Sequence, residues 1–290
     1  MDWLRRLNEA ITYIEDNLDG TIDYAQAAQK ACCSAYHFQR MFSYMAEVPL
    51  SEYIRKRKLS LAAMRLQAGN GKVIDPAVLY GDDSADSFTR AFVRQHGITP
   101  SEACRPGAHL TLFPPLVFQI QIKGAKAMHW RMEKRDAFEV FGIERRFGHE
   151  ETGRVLDFWT ACRRNGRYDR LLEAAGEGPS ADGCKRLFAV CGCSEPDEDV
   201  FPYMICALRK PESRTEGFRI AQIPKASWAV FRSDTCSHMG TEIPSLFSRA
   251  YSEWLSASGY DKAPGPDMEL YYTTPDGKHF EEVWIPVRKT

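Results

Sequence analysis

Apolar side chains recur every three to four positions over residues 2–18, with Leu4, Leu7, Ile11, Ile14 and Leu18 in step. That period predicts an amphipathic helix, ended by Gly20. Residues 23–31 predict a second, short helix rich in alanine. In residues 34–42 (Ser-Ala-Tyr-His-Phe-Gln-Arg-Met-Phe), Phe38, Met41, Phe42 and the following Met45 fall at i, i+3, i+4 and i+7. They form one buried stripe, and Ser34 suits the N-cap. Tyr36, Gln39, Arg40 and Ser43 stand on the other face, predicted to be outward. Residues 50–68 predict a long helix with Leu59, Ala62, Ala63 and Leu66 inward, broken by Gly69-Asn70-Gly71.

The pattern then repeats. Residues 84–92 read Ser-Ala-Asp-Ser-Phe-Thr-Arg-Ala-Phe and match 34–42 at Ser34/Ser84, Ala35/Ala85, Phe38/Phe88, Arg40/Arg90 and Phe42/Phe92. Val48/Ile98, Ser51/Ser101, Glu52/Glu102 and Arg55/Arg105 continue the same offset of fifty. A fixed offset marks duplicated units. Two equivalent helices, each presenting an arginine, point to a tandem helix-turn-helix DNA reader. Arginine and glutamine can bond base edges bidentately, which suits Arg40 and Gln39 to that task.

From residue 106 the grammar changes. Pro106-Gly107 and Pro114-Pro115 predict an extended linker entering a strand at Leu116–Lys123. Strands are predicted in 127–145, 187–193, 203–208, 227–232, 268–273 and 280–287, with helices at 152–164 and 243–257. Trp159…Asn165-Gly166-Arg167-Tyr168-Asp169 echoes Trp254…Ser258-Gly259-Tyr260-Asp261, a fainter duplication that suggests a βαββ unit used twice. The expected organisation is multidomain: an all-α double helix-turn-helix domain over 1–108, a linker over 109–125 and an α+β domain of two βαββ pseudo-repeats over 126–290.

Composition changes this picture little. The chain has 290 residues, enough for two domains of ordinary size, and no apolar run long enough to span a membrane. With no leader-like start, a cytoplasmic protein is expected. Net charge is −1, and residues 1–108 hold thirteen basic and thirteen acidic side chains. Phosphate contacts must therefore come from local clusters such as Arg55-Lys56-Arg57-Lys58. The nine cysteines have no metal-ligand spacing, so reduced thiols and no metal are expected.

Residues 4–106 resemble the AraC/XylS family of bacterial transcription regulators. The carriers are Tyr36-His37-Phe38-Gln39-Arg40-Met41-Phe42, Tyr53-Ile54-Arg55-Lys56-Arg57-Lys58, Phe88-Thr89-Arg90-Ala91-Phe92 and Gly97-Ile98-Thr99-Pro100-Ser101-Glu102. The resemblance implies DNA contacts by Tyr36, Gln39, Arg40 and Ser43 on the first reading helix and Thr89 and Arg90 on the second, with Arg55 and Lys58 on phosphates. It also implies double-stranded DNA as partner, bound by a monomer, and RNA polymerase as a further partner. Cys32 stands where the family usually has a turn glycine. Pro76 replaces an apolar residue and Asp82 an aromatic one, and Asp86 would repel phosphate. The second reading helix is therefore expected to contribute less than the first.

Residues 126–290 resemble the GyrI-like effector-binding domain. The carriers are Ile223-Pro224 with Trp228-Ala229-Val230-Phe231, then Pro266-Asp267-Met268-Glu269-Leu270-Tyr271 and Phe280-Glu281-Glu282-Val283-Trp284-Ile285-Pro286-Val287. The resemblance implies a small-molecule effector bound at the seam between the halves, with Glu269 as the ligand-binding carboxylate. No basic residue lies between Ala263 and Asp276, and burying an unpaired carboxylate costs several kcal/mol. Rings at Trp159, Tyr203, Trp228, Tyr271 and Trp284 would stack on a cationic or amphipathic aromatic ligand. Glu282 is the second choice of carboxylate. The reading is a ligand-responsive regulator without catalytic residues, metal or cofactor. The alternative is a GyrI-like hydrolase or drug-sequestering protein with an appended DNA-binding domain.

Overall fold

The computed structural model describes residues 2–69, 85–118, 127–148, 154–176, 187–192 and 200–289. Its helical part comprises α1 (Asp2–Asp16), α2 (Tyr24–Lys30), α3 (Ala35–Ala46), α4 (Leu50–Gln67), α5 (Ala85–His96) and α6 (Pro100–Ala103). The offset of fifty reappears in these bounds. α3 and α5 are both twelve residues long, and α4 and α6 begin fifty residues apart. Each reading helix ends on a left-handed residue, Glu47 (φ 58°) after α3 and Gly97 (φ 75°) after α5. The departures at Pro76 and Asp82 lie outside the described residues.

By compactness the chain divides in two. One unit holds Leu4–Ala35 and Val48–Gln119; the other holds Met1–Trp3, Tyr36–Glu47 and Ile120–Thr290. The helix α3 thus belongs with the sheet. In the helical unit, Leu59, Ala62, Ala63 and Leu66 of α4 bury against Phe88 and Phe92 of α5 and Ala103 of α6. The turn after α2 closes with Cys33 N donating to Ala28 O (3.1 Å) and Cys32 N to Gln29 O (2.9 Å). That pair of hydrogen bonds needs a left-handed residue at Cys32, which adopts φ 54° without being glycine. The turn therefore carries backbone strain at the position where the family usually has a glycine.

Arg57 corrects the reading of the basic block as a solvent-facing run. Its guanidinium is buried on Glu15, with Nε at 2.9 and 3.0 Å and Nη2 at 2.6 Å. The expected strand from 116 is not one over 116–118, and the rest of that stretch lies outside the described residues. The segment is nevertheless held to the helices. Phe113 N donates to Ser60 Oγ (3.0 Å) and Leu116 N to Tyr53 Oη (3.0 Å). Phe118 and Asn8 exchange two bonds of 2.8 and 2.9 Å.

Among the described residues the sheet unit has nine antiparallel strands: β1 (His129–Arg135), β2 (Phe138–Gly148), β3 (Phe188–Cys191), β4 (Val200–Leu208), β5 (Arg219–Ile223), β6 (Ala226–Arg232), β7 (Tyr260–Lys262), β8 (Asp267–Thr273) and β9 (His279–Lys289). Their order is β1-β6-β9-β8-β3-β4-β2-β5, with β7 also on β9. Read from either edge inward, this is one motif twice, β5-β2-β4-β3 and β1-β6-β9-β8. The halves meet where β3 pairs with β8, Ala189 opposite Glu269 and Cys191 opposite Asp267. The first half inserts α7 (Val155–Arg164) and α8 (Arg167–Ala174), the second α9 (Ile243–Arg249) running into a π turn at Ala250–Trp254. The two predicted echoes diverge after a shared left-handed glycine: helix α8 follows Gly166, strand β7 follows Gly259.

Strand alternation sorts side chains to two faces. One carries Phe141, Ile143, Ala189, Cys191, Tyr203 and Ile205 under α7 and α8, with Tyr36 of α3 in the same core. The other carries Val140, Val190, Met204, Trp228, Met268, Leu270, Tyr272 and Trp284.

Candidate functional site

α3 has a second stripe besides the predicted one. Tyr36, Arg40 and Tyr44 stand at i, i+4 and i+8 and face the sheet unit. The Tyr36 ring stacks on Phe201, centroids 5.3 Å apart, and Tyr44 stacks on Phe247 at 4.8 Å. Gly192 admits this approach: it is left-handed (φ 82°), and a Cβ there would lie 3.1 Å from the Tyr36 ring. Between the rings Arg40 is 7% exposed. Its guanidinium lies over Phe247 at 4.3 Å and donates to Tyr36 Oη (2.9 Å), Tyr44 Oη (3.3 Å) and Glu269 Oε1 (2.8 Å).

β8 supplies two buried carboxylates on one face, Asp267 and Glu269. Glu269 accepts from Tyr203 Oη (2.9 Å), Tyr271 Oη (3.0 Å) and Cys191 Sγ (3.6 Å) besides Arg40. Burial pushes the Tyr203 and Tyr271 hydroxyls well up, so both remain donors. Asp267 lies 3.1 Å from Lys262 Nζ and accepts from Tyr251 Oη (3.1 Å), which the π turn carries inward. Burial opposes its ionisation, but Lys262 and Arg40 outweigh burial and hold the carboxyl below its usual range. Lys262 is thus the near cation of Asp267 and Arg40 that of Glu269, with Arg40 also 3.9 Å from Asp267.

A cavity of about 300 Å³ opens beside this cluster, lined by Leu156, Trp159, Thr160, Arg163, Tyr168, Leu187, Met239, Gly240 and Tyr271. Trp159 and Tyr271 meet edge to face at 5.7 Å, and Trp159 Nε1 donates to Tyr203 Oη (2.9 Å). Glu269 sits one hydrogen bond behind this aromatic wall. Glu281, fully buried on β9, accepts from Gly240 N and from Glu242 N (3.0 Å) and so clamps the Met239–Gly240 side of the cavity.

The predicted residues scatter accordingly. Glu269, Tyr203, Tyr271 and Trp159 come together. Trp228 and Trp284 do not: alternation puts them in the core on the opposite face of the sheet. Glu282 is on that face too, bound by Arg131, Tyr272 Oη (3.1 Å) and Trp284 Nε1 (3.0 Å). The stretch from Ala263 to Asp276 holds no basic residue for Glu269, and its cation, Arg40, arrives from 229 positions away. Nor is the expected outward face of α3 open, since Tyr36, Gln39 and Arg40 are buried and Ser43 is half-buried. Arg55 and Lys58 are half-buried, Arg55 Nε on Glu52 (3.1 Å) and Lys58 Nζ on Gly20 O (3.2 Å). Thr89 is half-buried, while Arg90 and Asp86 are exposed. The sequence reading missed Tyr44, Phe247, Asp267 and Lys262. The signal for Tyr44 was present, in the i, i+4, i+8 stripe.

His37, next to this cluster, is held neutral: burial drives its pKa down to about 3 from 6.5, with Lys262 adding to the effect. Its 3.9 Å approach to Asp267 is therefore not an ion pair. A folded value below the unfolded one gives stability that is full above pH 6.5 and drains as pH falls towards 3. Between pH 7 and pH 5 the loss should be about 2 kcal/mol. Urea unfolding of wild type against His37→Gln at both values checks this, since the variant should lack that part of the slope. The comparison also subtracts Glu281, whose carboxyl burial raises and which contributes with opposite sign.

Residues 27–105 match the family described as "Helix-turn-helix domain", and residues 131–287 the family described as "Integron-associated effector binding protein". Tandem reading helices followed by such a domain define a DNA-binding transcription regulator with an effector-binding domain. The chain belongs to the AraC/XylS family, in the branch that carries a GyrI-like effector-binding domain. Transcriptional regulator Rob of Salmonella typhimurium and the Right origin-binding protein of Escherichia coli K12 are each 35% identical to it over 303 positions, covering 100% of both chains. The transcriptional activator AarP of Providencia stuartii is 39% identical over 95 residues, 33% of this chain and 70% of that protein.

Proposed function

We propose that this regulator reads double-stranded DNA as a monomer and responds to a small cationic or amphipathic aromatic effector. The cavity carries this reading: an aromatic hollow with a buried carboxylate directly behind its wall suits a flat cation. DNA reading is assigned to residues 1–108 and effector binding to 126–290, with 109–125 connecting them. Arg40 and Gln39 would contact bases, supported by Tyr36, Ser43, Thr89 and Arg90, with Arg55 and Lys58 on phosphates. Two reading helices in one chain supply adjacent major grooves about 34 Å apart without a second protomer. RNA polymerase is the further protein partner, and the protein works in the cytoplasm as a sensor rather than an enzyme. Among the described residues, no helix is long and apolar enough to cross a membrane.

Benzamidinium, a flat amidinium on an aromatic ring, is the probe for the pocket, with neutral benzamide as control. Calorimetry should show benzamidinium binding that Trp159→Ala weakens at least tenfold, with no binding of benzamide. Equal binding of both would overturn the cationic assignment. Mass spectrometry after long incubation should return the probe unchanged. On the DNA side, Arg55→Ala and Lys58→Ala should each reduce the slope of log affinity against log salt by about one.

A further inference from the structure

We propose that Arg40 is an internal ligand of the effector site, so that a guanidinium- or amidinium-type cation which takes Glu269 releases α3 for DNA reading. This rests on the cationic-effector reading above and adds the direction and the agent of regulation. The Arg40 guanidinium already makes the contacts a bound cation would make. It donates to a carboxylate at 2.8 Å, lies 4.3 Å over a ring and donates to a phenol at 2.9 Å. Its surroundings are built for it, since Tyr36 and Tyr44 flank it on the same stripe and stack on Phe201 and Phe247.

Two facts turn this docking into a switch. The first is exclusivity: the Arg40 Nη2 that meets Glu269 is one of the donors a guanine contact needs, and a guanidinium cannot serve both at once. With α3 docked, Tyr36, Gln39 and Arg40 are all buried and no base can reach them. The second is charge. Lys262 lies 3.1 Å from Asp267, and Arg40, 3.9 Å from Asp267, lies 2.8 Å from Glu269, the nearest cation to that carboxylate among the described residues. When α3 leaves, one buried carboxylate is left without its cation, which opposes departure. A soluble cation removes that opposition by filling the same place, and it enters from the adjacent cavity, whose Tyr271 already touches Glu269. A neutral ligand of the same shape leaves the carboxylate unmatched and has no differential affinity for the undocked state. Linkage then requires that the cation raise DNA affinity and that DNA raise affinity for the cation by the same factor.

The test uses the full chain and a 25-base-pair duplex that it selects from a random pool. Benzamidinium should tighten duplex binding at least threefold and speed amide hydrogen exchange in residues 38–46, while benzamide does neither. Glu269→Gln should bind the duplex at least threefold more tightly than wild type without any probe, and benzamidinium should no longer change it. Phe247→Leu, which keeps both carboxylates and loosens only the ring under Arg40, should move the same way by a smaller factor, and it stands in if Glu269→Gln does not fold. Unchanged duplex affinity and unchanged exchange in these variants would overturn the proposal. So would benzamidinium that binds yet leaves α3 exchange unaltered, a result that spares the effector reading. Tighter duplex binding by both variants together with no benzamidinium binding would support the latch and sink the effector reading instead.

Discussion

Arg57→Met should lower the stability of the helical unit by about 3–5 kcal/mol, because it leaves Glu15 charged in a site built for a guanidinium. Glu15 takes Arg57 Nε and Nη2 together, at 2.6 to 3.0 Å, and also accepts from Tyr53 Oη at 2.6 Å. Both side chains are largely out of water, 7% and 16% exposed, so screening is weak. The same guanidinium donates to Phe113 O, while Tyr53 Oη accepts from Leu116 N, so the network ties α1, α4 and the segment at 113–116 together. Replacing both members, Arg57→Met with Glu15→Met, should recover most of the loss, since two apolar chains of that length need no pairing. The readout is the helical transition in urea, followed by far-ultraviolet circular dichroism. A single-variant cost under about 1 kcal/mol would mean that water reaches the pair and that it behaves as a surface bridge.

Much of the fold was legible because each half obeys a simple period. The 3.6-residue repeat located α1 to α4, and the offset of fifty located α5 and the start of α6. Alternation found β3, β4, β6, β8 and β9 to within a few residues and covered β1 and β2 as one undivided stretch, 127–145. What escaped was short or shared its neighbour's composition. α8 begins right after Gly166, in a stretch noted only for its echo of 258–261; β5 and β7 have five and three residues, too few to show a period. The basic block misled for another reason. A run of charges looks solvated, but a helix turns 100° per residue, so a four-residue run must place one member inward. Here that member is Arg57.

The site was legible only where one strand carried it. Glu269 and Tyr271 alternate on β8, and their placement followed from the motif at Pro266–Tyr271. Trp228 and Trp284 were assigned to the site by ring chemistry alone. Register decides otherwise: Trp284 pairs opposite Met268, one residue off Glu269, and a one-residue step puts a side chain on the other face. The counter-ion of Glu269 was not legible, since it lies 229 positions away on a helix whose pattern pointed to DNA. One amphipathic helix can present two useful stripes. The first, Phe38-Met41-Phe42, is plain from its apolar side chains; of the second, Tyr36-Arg40-Tyr44, Tyr36 and Arg40 were assigned with Gln39 and Ser43 to an outward face and Tyr44 was missed.

Arg40→Met should cost the sheet unit about 3–5 kcal/mol, and Arg40→Met combined with Glu269→Gln should recover more than half of it. The single change leaves Glu269 on a central strand that cannot move into water, with Tyr203, Tyr271 and Cys191 as its remaining donors among the described residues. Glu269→Gln alone should cost less, because the stranded group is then Arg40, which rides on a helix and can carry its charge out to solvent. The inequality is the informative part: a static ion pair would give similar losses from either side, whereas a releasable helix caps the loss on the glutamate side at its own undocking energy. DNA binding separates the two roles of Arg40. Both variants lacking it should lose about 1–3 kcal/mol of discrimination between the selected duplex and random DNA, whether or not stability is restored. Glu269→Gln should keep that discrimination in full. Urea unfolding of the three variants and wild type closes the cycle. Equal single-variant losses with no recovery in the double variant would show that Arg40 and Glu269 are neighbours without being a matched pair.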